Sequence, residues 1–270
     1  MPLTQEQQEA VRMGTPIEWN GLTLFPILMK DYNRFIIAQM GLTAQQQTLP
    51  SKYVVMRYLE ALYALDYDVR TNGGPQGGFF SRILLFLMLS LRLEVRKGLD
   101  GEEYIPIGIQ TEKDNPRKLT ALEVTQGEVS VEITPQNFVQ LREILAAQNE
   151  VELPDETLNA ELVQAERDLA AKSSLNLVPD SEALIYSVSV KTQIPVEDIF
   201  QWTVRRFVLT ERAIDRITGH LLAALSEAAG AKYKNGNPWP SWKYDRDKHS
   251  SALVSLAELT QRLSGSVEAR

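Results

Sequence analysis

Residues 79–93 read FFSRILLFLMLSLRL, and what becomes of this run decides the fold. Arg82 and Arg92 leave only about nine uninterrupted apolar residues between them, well short of the roughly 20 that a helix needs to cross a hydrocarbon core. A helix that is apolar on every side is satisfied by burial in protein. The run is therefore expected at the centre of a helical domain. The rival reading is a helix lying on a membrane surface or covered by a partner.

Upstream of it, TNGGPQGG (71–78) is rich in helix breakers. A helix is expected from 51 to about 65, with Val54, Tyr58, Leu62 and Leu65 at spacings of four, four and three. TAQQQTLP (43–50) reads as a linker, and residues 28–40 as a further helix ending at Gly41. In PIEWNGLTLFP (16–26) two short β-prone runs are joined by Asn20-Gly21, a pair suited to the positive φ values of a type I′ turn. This predicts a small hairpin. The first dozen residues read as a frayed arm or a short helix.

Downstream, the character changes near Gly98. Residues 104–110, 118–125 and 128–133 alternate apolar and polar side chains, separated by TEKDNP and QG. They predict a three-stranded antiparallel meander, which must pack on helices to be stable. Thr134 and Pro135 form a helix start, followed by an apolar stripe of Phe138, Leu141, Ile144 and Leu145. Leu153-Pro154-Asp155 opens another helix, with Leu158, Leu162, Ala165 and Leu169 on one face, and SSLNLVPD (173–180) reads as a linker.

Three closely spaced helices are then expected. The first covers about 181–191, and the second follows Pro195 with Phe200, Val204, Phe207 and Val208 inward. The third covers about 210–229 and carries Ile214, Ile217, Leu221, Leu222 and Leu225. A last helix uses Leu253, Leu256, Leu259 and Leu263. The expected fold is mainly α with a small antiparallel β-meander (α+β), two helical bundle halves flanking a three-stranded insertion. Residues 1–97 form a hairpin plus helical region, 98–133 the meander and 134–270 the second helical region.

Composition bounds the function. A chain of 270 residues that is 44% hydrophobic and 23% charged is globular. Its net charge of -7 and pI near 5.1 argue against a general nucleic-acid binder, which needs a basic surface. With no cysteine, thiolate catalysis, disulfides and Cys-based zinc sites are excluded. MPLTQEQQEAVRMG at the start lacks the apolar segment of a secretory signal.

No catalytic constellation stands out. Of the two histidines, His220 lacks ligand spacing, and His249 in YDRDKH, with Asp245 and Asp247, reads as a solvated charge run rather than a metal site. The glycine-rich loop before Phe79 lacks the lysine of a phosphate-binding loop and reads as a connector. Glu197 and Asp198 fit a helix N-terminus better than acid–base work. No cofactor or metal is expected.

Two aromatic-basic groups are candidates for partner binding. Trp202, Arg205 and Arg206 have a composition enriched at protein interfaces. The alternative, which weighs more, is that Trp202 packs on the next helix and the arginines pair with acids such as Glu211. In YKNGNPWPSWKY (233–244), Trp239 and Trp242 either lid the C-terminal helices or anchor a partner. Base stacking on single-stranded nucleic acid is a third option, disfavoured by the charge.

Four segments together resemble a tail-region protein of bacteriophages. They are PIEWNGLTLFPILMKDYNRF, ITPQNFVQLREILAAQNEV, VEDIFQWTVRRFVLTERAID and NPWPSWKYD. In that family a short hairpin precedes a helical region, and a phenylalanine–arginine helix leads to an asparagine, matched here by Phe138, Arg142 and Asn149. A later helical element corresponds to Val196, Ile199, Arg206 and Phe207, and a Trp-containing segment follows.

The resemblance implies a non-enzymatic tail assembly chaperone in the host cytoplasm, binding the tape-measure protein or tail-tube proteins. No nucleic acid or membrane is expected as partner, and homo-oligomerisation is left open. The expected mechanism covers the apolar stripe of a client helix, with Trp202, Arg205, Arg206, Trp239 and Trp242 as contributors. Its rivals are a structural tail or connector subunit of the virion and an enzyme whose site is scattered along the chain.

Overall fold

A computed structural model describes residues 3–73, 77–97, 103–155, 180–233 and 237–243. The chain divides into two units, one of Met1–Pro154 with Phe200–Arg206, the other of Asp155–Ile199 with Phe207–Arg270. The fold is mainly α with small antiparallel sheets.

The first unit opens with helix α1, Gln5–Met13, which is held at both ends. Thr4 and Gln7 form a reciprocal capping box, and Gly14 closes the helix in the left-handed conformation. Strands β1 (Ile17–Trp19) and β2 (Leu22–Leu24) form the expected hairpin, with Asn20 at φ 50° and Gly21 at φ 89°. Its inward side chains Ile17, Trp19, Leu22 and Leu24 are buried.

Helix α2 (Tyr32–Leu42) follows a short 3-10 turn at Met29–Asp31. Gly41 does not end it. A Cβ there would lie 2.7 Å from the Ile83 backbone nitrogen and 2.9 Å from the Phe79 carbonyl oxygen, so its bare backbone lets α2 press against helix α5 (Phe79–Ser90). The single helix expected from 51 is two, α3 (Ser51–Val54) and α4 (Tyr58–Asn72). At the break, the Gln46 side-chain amide donates to the carbonyls of Tyr53, Val54 and Met56. These are end-of-helix groups that would otherwise lack partners.

The apolar run is the core, as its composition requires. Phe80, Ile83, Phe86 and Leu87 of α5 are fully buried, and among the described residues no helix is long and apolar enough to cross a membrane. Two short strands, β3 (Arg96–Lys97) and β4 (Glu103–Tyr104), pair before the meander. The meander is β5 (Ile107–Glu112), β6 (Asn115–Gln126) and β7 (Val129–Ile133), in the order β5-β6-β7. The first turn is tighter than TEKDNP suggested, because register shifts between Gln110 and Glu112 carry the strands on to Lys113-Asp114. Strand β6 packs on α4, where the Tyr63 hydroxyl donates to the Pro116 carbonyl at 3.0 Å.

Helix α6 (Phe138–Gln148) ties this unit together. Its stripe of Phe138, Leu141, Ile144 and Leu145 is fully buried. Its buried polar side chains serve distant backbone. Arg142 Nε donates to the Leu42 carbonyl at 2.9 Å, and its guanidinium lies 3.6 Å from the Tyr58 ring centre. Gln148 donates to the Leu24 carbonyl at 2.9 Å, and Asn149 Oδ1 accepts from the Ile27 amide at 2.8 Å. Unmade, each would leave a buried polar group unsatisfied, at about 1–3 kcal/mol.

The second unit contains α7 (Ser181–Thr192), with Asp180 as N-cap, and the short α8 (Val196–Ile199). Helix α9, Val204–Ala228, then continues for 25 residues across the boundary between the units. The two helices expected after Pro195 are thus largely one, since no proline or glycine interrupts it before Gly219. The helix expected from Asp155, the last amphipathic helix, His249, Asp245 and Asp247 lie outside the described residues.

Candidate functional site

Residues 200–204 run antiparallel to 27–30 in the first unit. The Met29 amide donates to the Trp202 carbonyl at 2.8 Å, Lys30 to Phe200 at 3.1 Å, and Val204 to Ile27 at 2.8 Å. The backbone at Trp202 is therefore fixed, and its side chain is only 7% exposed. Arg206 stacks over the indole, 4.1 Å from the ring, a cation–π contact. Arg205 pairs with the Glu150 carboxylate and also donates to the Ala147 carbonyl at 3.4 Å.

Trp202 and Arg205 are thus committed inside the unit. The acid that Arg205 uses is Glu150, not Glu211. The carboxyl of Glu211 is pushed up by burial and by Asp215, against the pull of Arg212. Phe138, Arg142 and Asn149, one of the matches that carried the family resemblance, are all buried, Phe138 in the packing of the unit and Arg142 and Asn149 in hydrogen bonds to distant backbone.

Trp239 and Trp242 belong to the second unit. The ring of Trp239 lies flush on α9 at Gly219, where a Cβ would come 2.6 Å from Cε2. Its carbonyl meets His220 Nδ1 at 2.8 Å, and its amide donates to Asn237 Oδ1 at 2.7 Å. Trp239 is therefore a lid on α9. Trp242, three residues further on, is 52% exposed, with the Lys243 ammonium 5.9 Å from its ring centre.

Most of the large apolar residues that the sequence reading put on the third C-terminal helix are exposed. On α9, Ile217 is 47% exposed, Leu221 56%, Leu222 60% and Leu225 67%. Ile217, Leu221 and Leu225 recur every four residues and share one face. Gly219, under Trp239, and the buried Ala223 are offset from them by two residues, about 200° of turn. The Trp239 lid and the stripe of Ile217, Leu221 and Leu225 therefore occupy opposite sides of the helix, while Leu222, three residues after Gly219, flanks the lid. The periodicity was visible in the sequence, but it marks a face to be covered and does not say what covers it.

The glycine-rich loop also has a structural account. Asp66, on α4 and 4% exposed, accepts from the Gly78 amide at 2.8 Å and the Phe80 amide at 3.0 Å. The anion at the N-terminus of α5 is the protein's own carboxylate. The helix expected from the sequence ended near Leu65, one residue before Asp66, so this cap carried no sequence signal.

No family model matches the chain, and it has no significant match among curated proteins or solved structures.

Proposed function

We propose that this chain is a non-catalytic binding protein of the phage tail assembly chaperone class, which holds an amphipathic helix of the tape-measure protein on the outward face of α9. The observation that carries the reading is the stripe of Ile217, Leu221, Leu222 and Leu225, large apolar side chains about half exposed or more on one stretch of helix. Contiguous exposed apolar surface marks interaction sites. Anchors at i, i+4 and i+8 match the way a helix face reads another amphipathic helix.

This moves the expected site. Trp202 and Arg205 are used within their own unit, so the client surface passes to the α9 leucines. The supporting signals for the class are the four sequence segments and the absence of a catalytic constellation in the sequence.

The test is co-expression of the tagged chain with the tape-measure protein from the same genome. Co-purification is expected from wild type and lost from the double variant Leu221→Asp/Leu225→Asp, whose circular dichroism should not change, since both positions are exposed. Equal recovery by both proteins would remove α9 from the interface. Presence of the chain in mature particles at fixed copy number would instead make it a structural tail subunit. Self-association lost in the same double variant would make the face a contact between copies.

A further inference from the structure

Helices α5 and α6 end in the same way. After α5, the Leu93 amide donates to the Met88 carbonyl at 3.0 Å and the Arg92 amide to Leu89 at 3.3 Å, with Arg92 left-handed at φ 51°. After α6, the Val151 amide donates to Ala146 at 2.9 Å and the Glu150 amide to Ala147 at 3.5 Å, with Glu150 at φ 56°. This is the Schellman arrangement, whose left-handed residue is usually glycine because a Cβ is disfavoured there. Both positions hold a charged side chain instead. At Glu150 the reason is visible, because the carboxylate pairs with Arg205.

At Arg92 the guanidinium lies 4.2 Å over the Phe25 ring and lines a cavity of about 430 Å³ between residues 26–34 and 88–95. A cation near a helix C-terminus complements the dipole, but a lysine or arginine one residue earlier would do that without the left-handed backbone. The dipole alone does not explain the position.

Ile27, Met88 and Leu93 give the cavity an apolar wall, and Lys30, Arg34 and Arg92 give it three cations. Of its acids, Asp31 is engaged by Arg34 at 3.5 Å, and Glu94 is exposed. Among the described residues neither Lys30 nor Arg92 has an ion-pair partner. The volume lies within the roughly 300–1,000 Å³ of small-molecule sites, which combine apolar walls with a few placed polar groups.

We propose that this cavity binds a small amphipathic anion, a carboxylate or phosphate on an apolar body, with Arg92 as its principal anchor. The guanidinium fork matches either anion with two parallel hydrogen bonds, and the apolar wall takes the body. All the lining residues belong to the first unit, so the site is independent of the α9 face.

The test uses octanoate and octyl phosphate as probes and octanamide as the uncharged control of matching length. Each is titrated into the full chain while backbone amide shifts are followed by NMR. Saturable shifts are expected at residues 27–31 and 88–95 with at least one anion, and the tighter of the two names the headgroup. Arg92→Gly keeps a residue suited to this backbone, so its Tm should hold or rise while affinity falls about tenfold or more. Lys30→Gln should weaken binding by a smaller factor. Equal affinity for octanamide, unchanged binding by Arg92→Gly, or no saturable shift with either anion overturns the proposal.

Discussion

Helices α5 and α9 are both rich in large apolar residues, and the fold treats them in opposite ways. Phe80, Ile83, Phe86 and Leu87 of α5 are sealed in the first unit, while Ile217, Leu221, Leu222 and Leu225 of α9 face outward in the second. In α5 the apolar residues go all round the helix, so no orientation would satisfy it except burial. In α9 Ile217, Leu221 and Leu225 form a stripe backed by Arg212 and Arg216, a pattern equally compatible with a core or a partner. An all-round apolar run states its destination, and a stripe does not.

The largest expected effect breaks or confirms that contrast directly. Phe86→Ala should destabilise the chain by about 3–5 kcal/mol, through lost burial and the cavity it leaves. Leu225→Ala should stay within about 0.5 kcal/mol of wild type, as a substitution at an exposed position does. Chemical denaturation measures both. A comparable loss in the two variants would mean that the α9 face is core.

A middle-sized effect concerns the other side of α9. Gly219→Ala places a methyl group into the Trp239 ring, and the ring must leave the helix. Tryptophan emission should shift to the red, with a stability loss of roughly 1–2 kcal/mol at most. An unshifted spectrum would show that Trp239 does not rest on Gly219 in solution.

The smallest effects are in the pH dependence, and they differ in sign between the units. In the first unit, burial pushes the Asp68 carboxyl up, but hydrogen bonds from Lys52 and Tyr53 and the nearby Arg117 outweigh it, and the net shift is down. A lowered carboxyl stabilises the fold above the ordinary carboxylate range, and that stabilisation is lost as pH falls through the lowered value. In the second unit the raised Glu211 carboxyl acts oppositely, since its charged form is disfavoured in the fold and acid relieves the penalty. Asp68→Asn should therefore lower stability at neutral pH and flatten its acid loss. Glu211→Gln should raise stability slightly at neutral pH. The sign of either change, read from urea midpoints between about pH 3 and 7, checks the assignment.

Much of the fold was legible because the deciding contacts are local. Asn20-Gly21 specifies the turn of its own hairpin, alternation from Ile107 to Ile133 specifies a meander, and the α6 stripe names its buried face. The candidate site was less legible. Trp202, Arg205 and Arg206 stood out by composition, but the partner of Arg205 lies 55 residues away at Glu150, itself in a left-handed position that no propensity would assign to glutamate.

By itself, the sequence determined what neighbouring residues can settle together: the hairpin, the three-stranded meander, and the fate of residues 79–93. The tertiary structure alone decided that Gly41 is a crossing point, that Asp66 caps α5, that Trp239 covers one side of α9 and that Ile217, Leu221 and Leu225 stand on the other. The physical reason is the range of the interactions. Backbone dihedrals and helix periodicity act within a few residues, whereas burial and charge pairing depend on which surfaces meet, and those surfaces come from segments far apart in the chain.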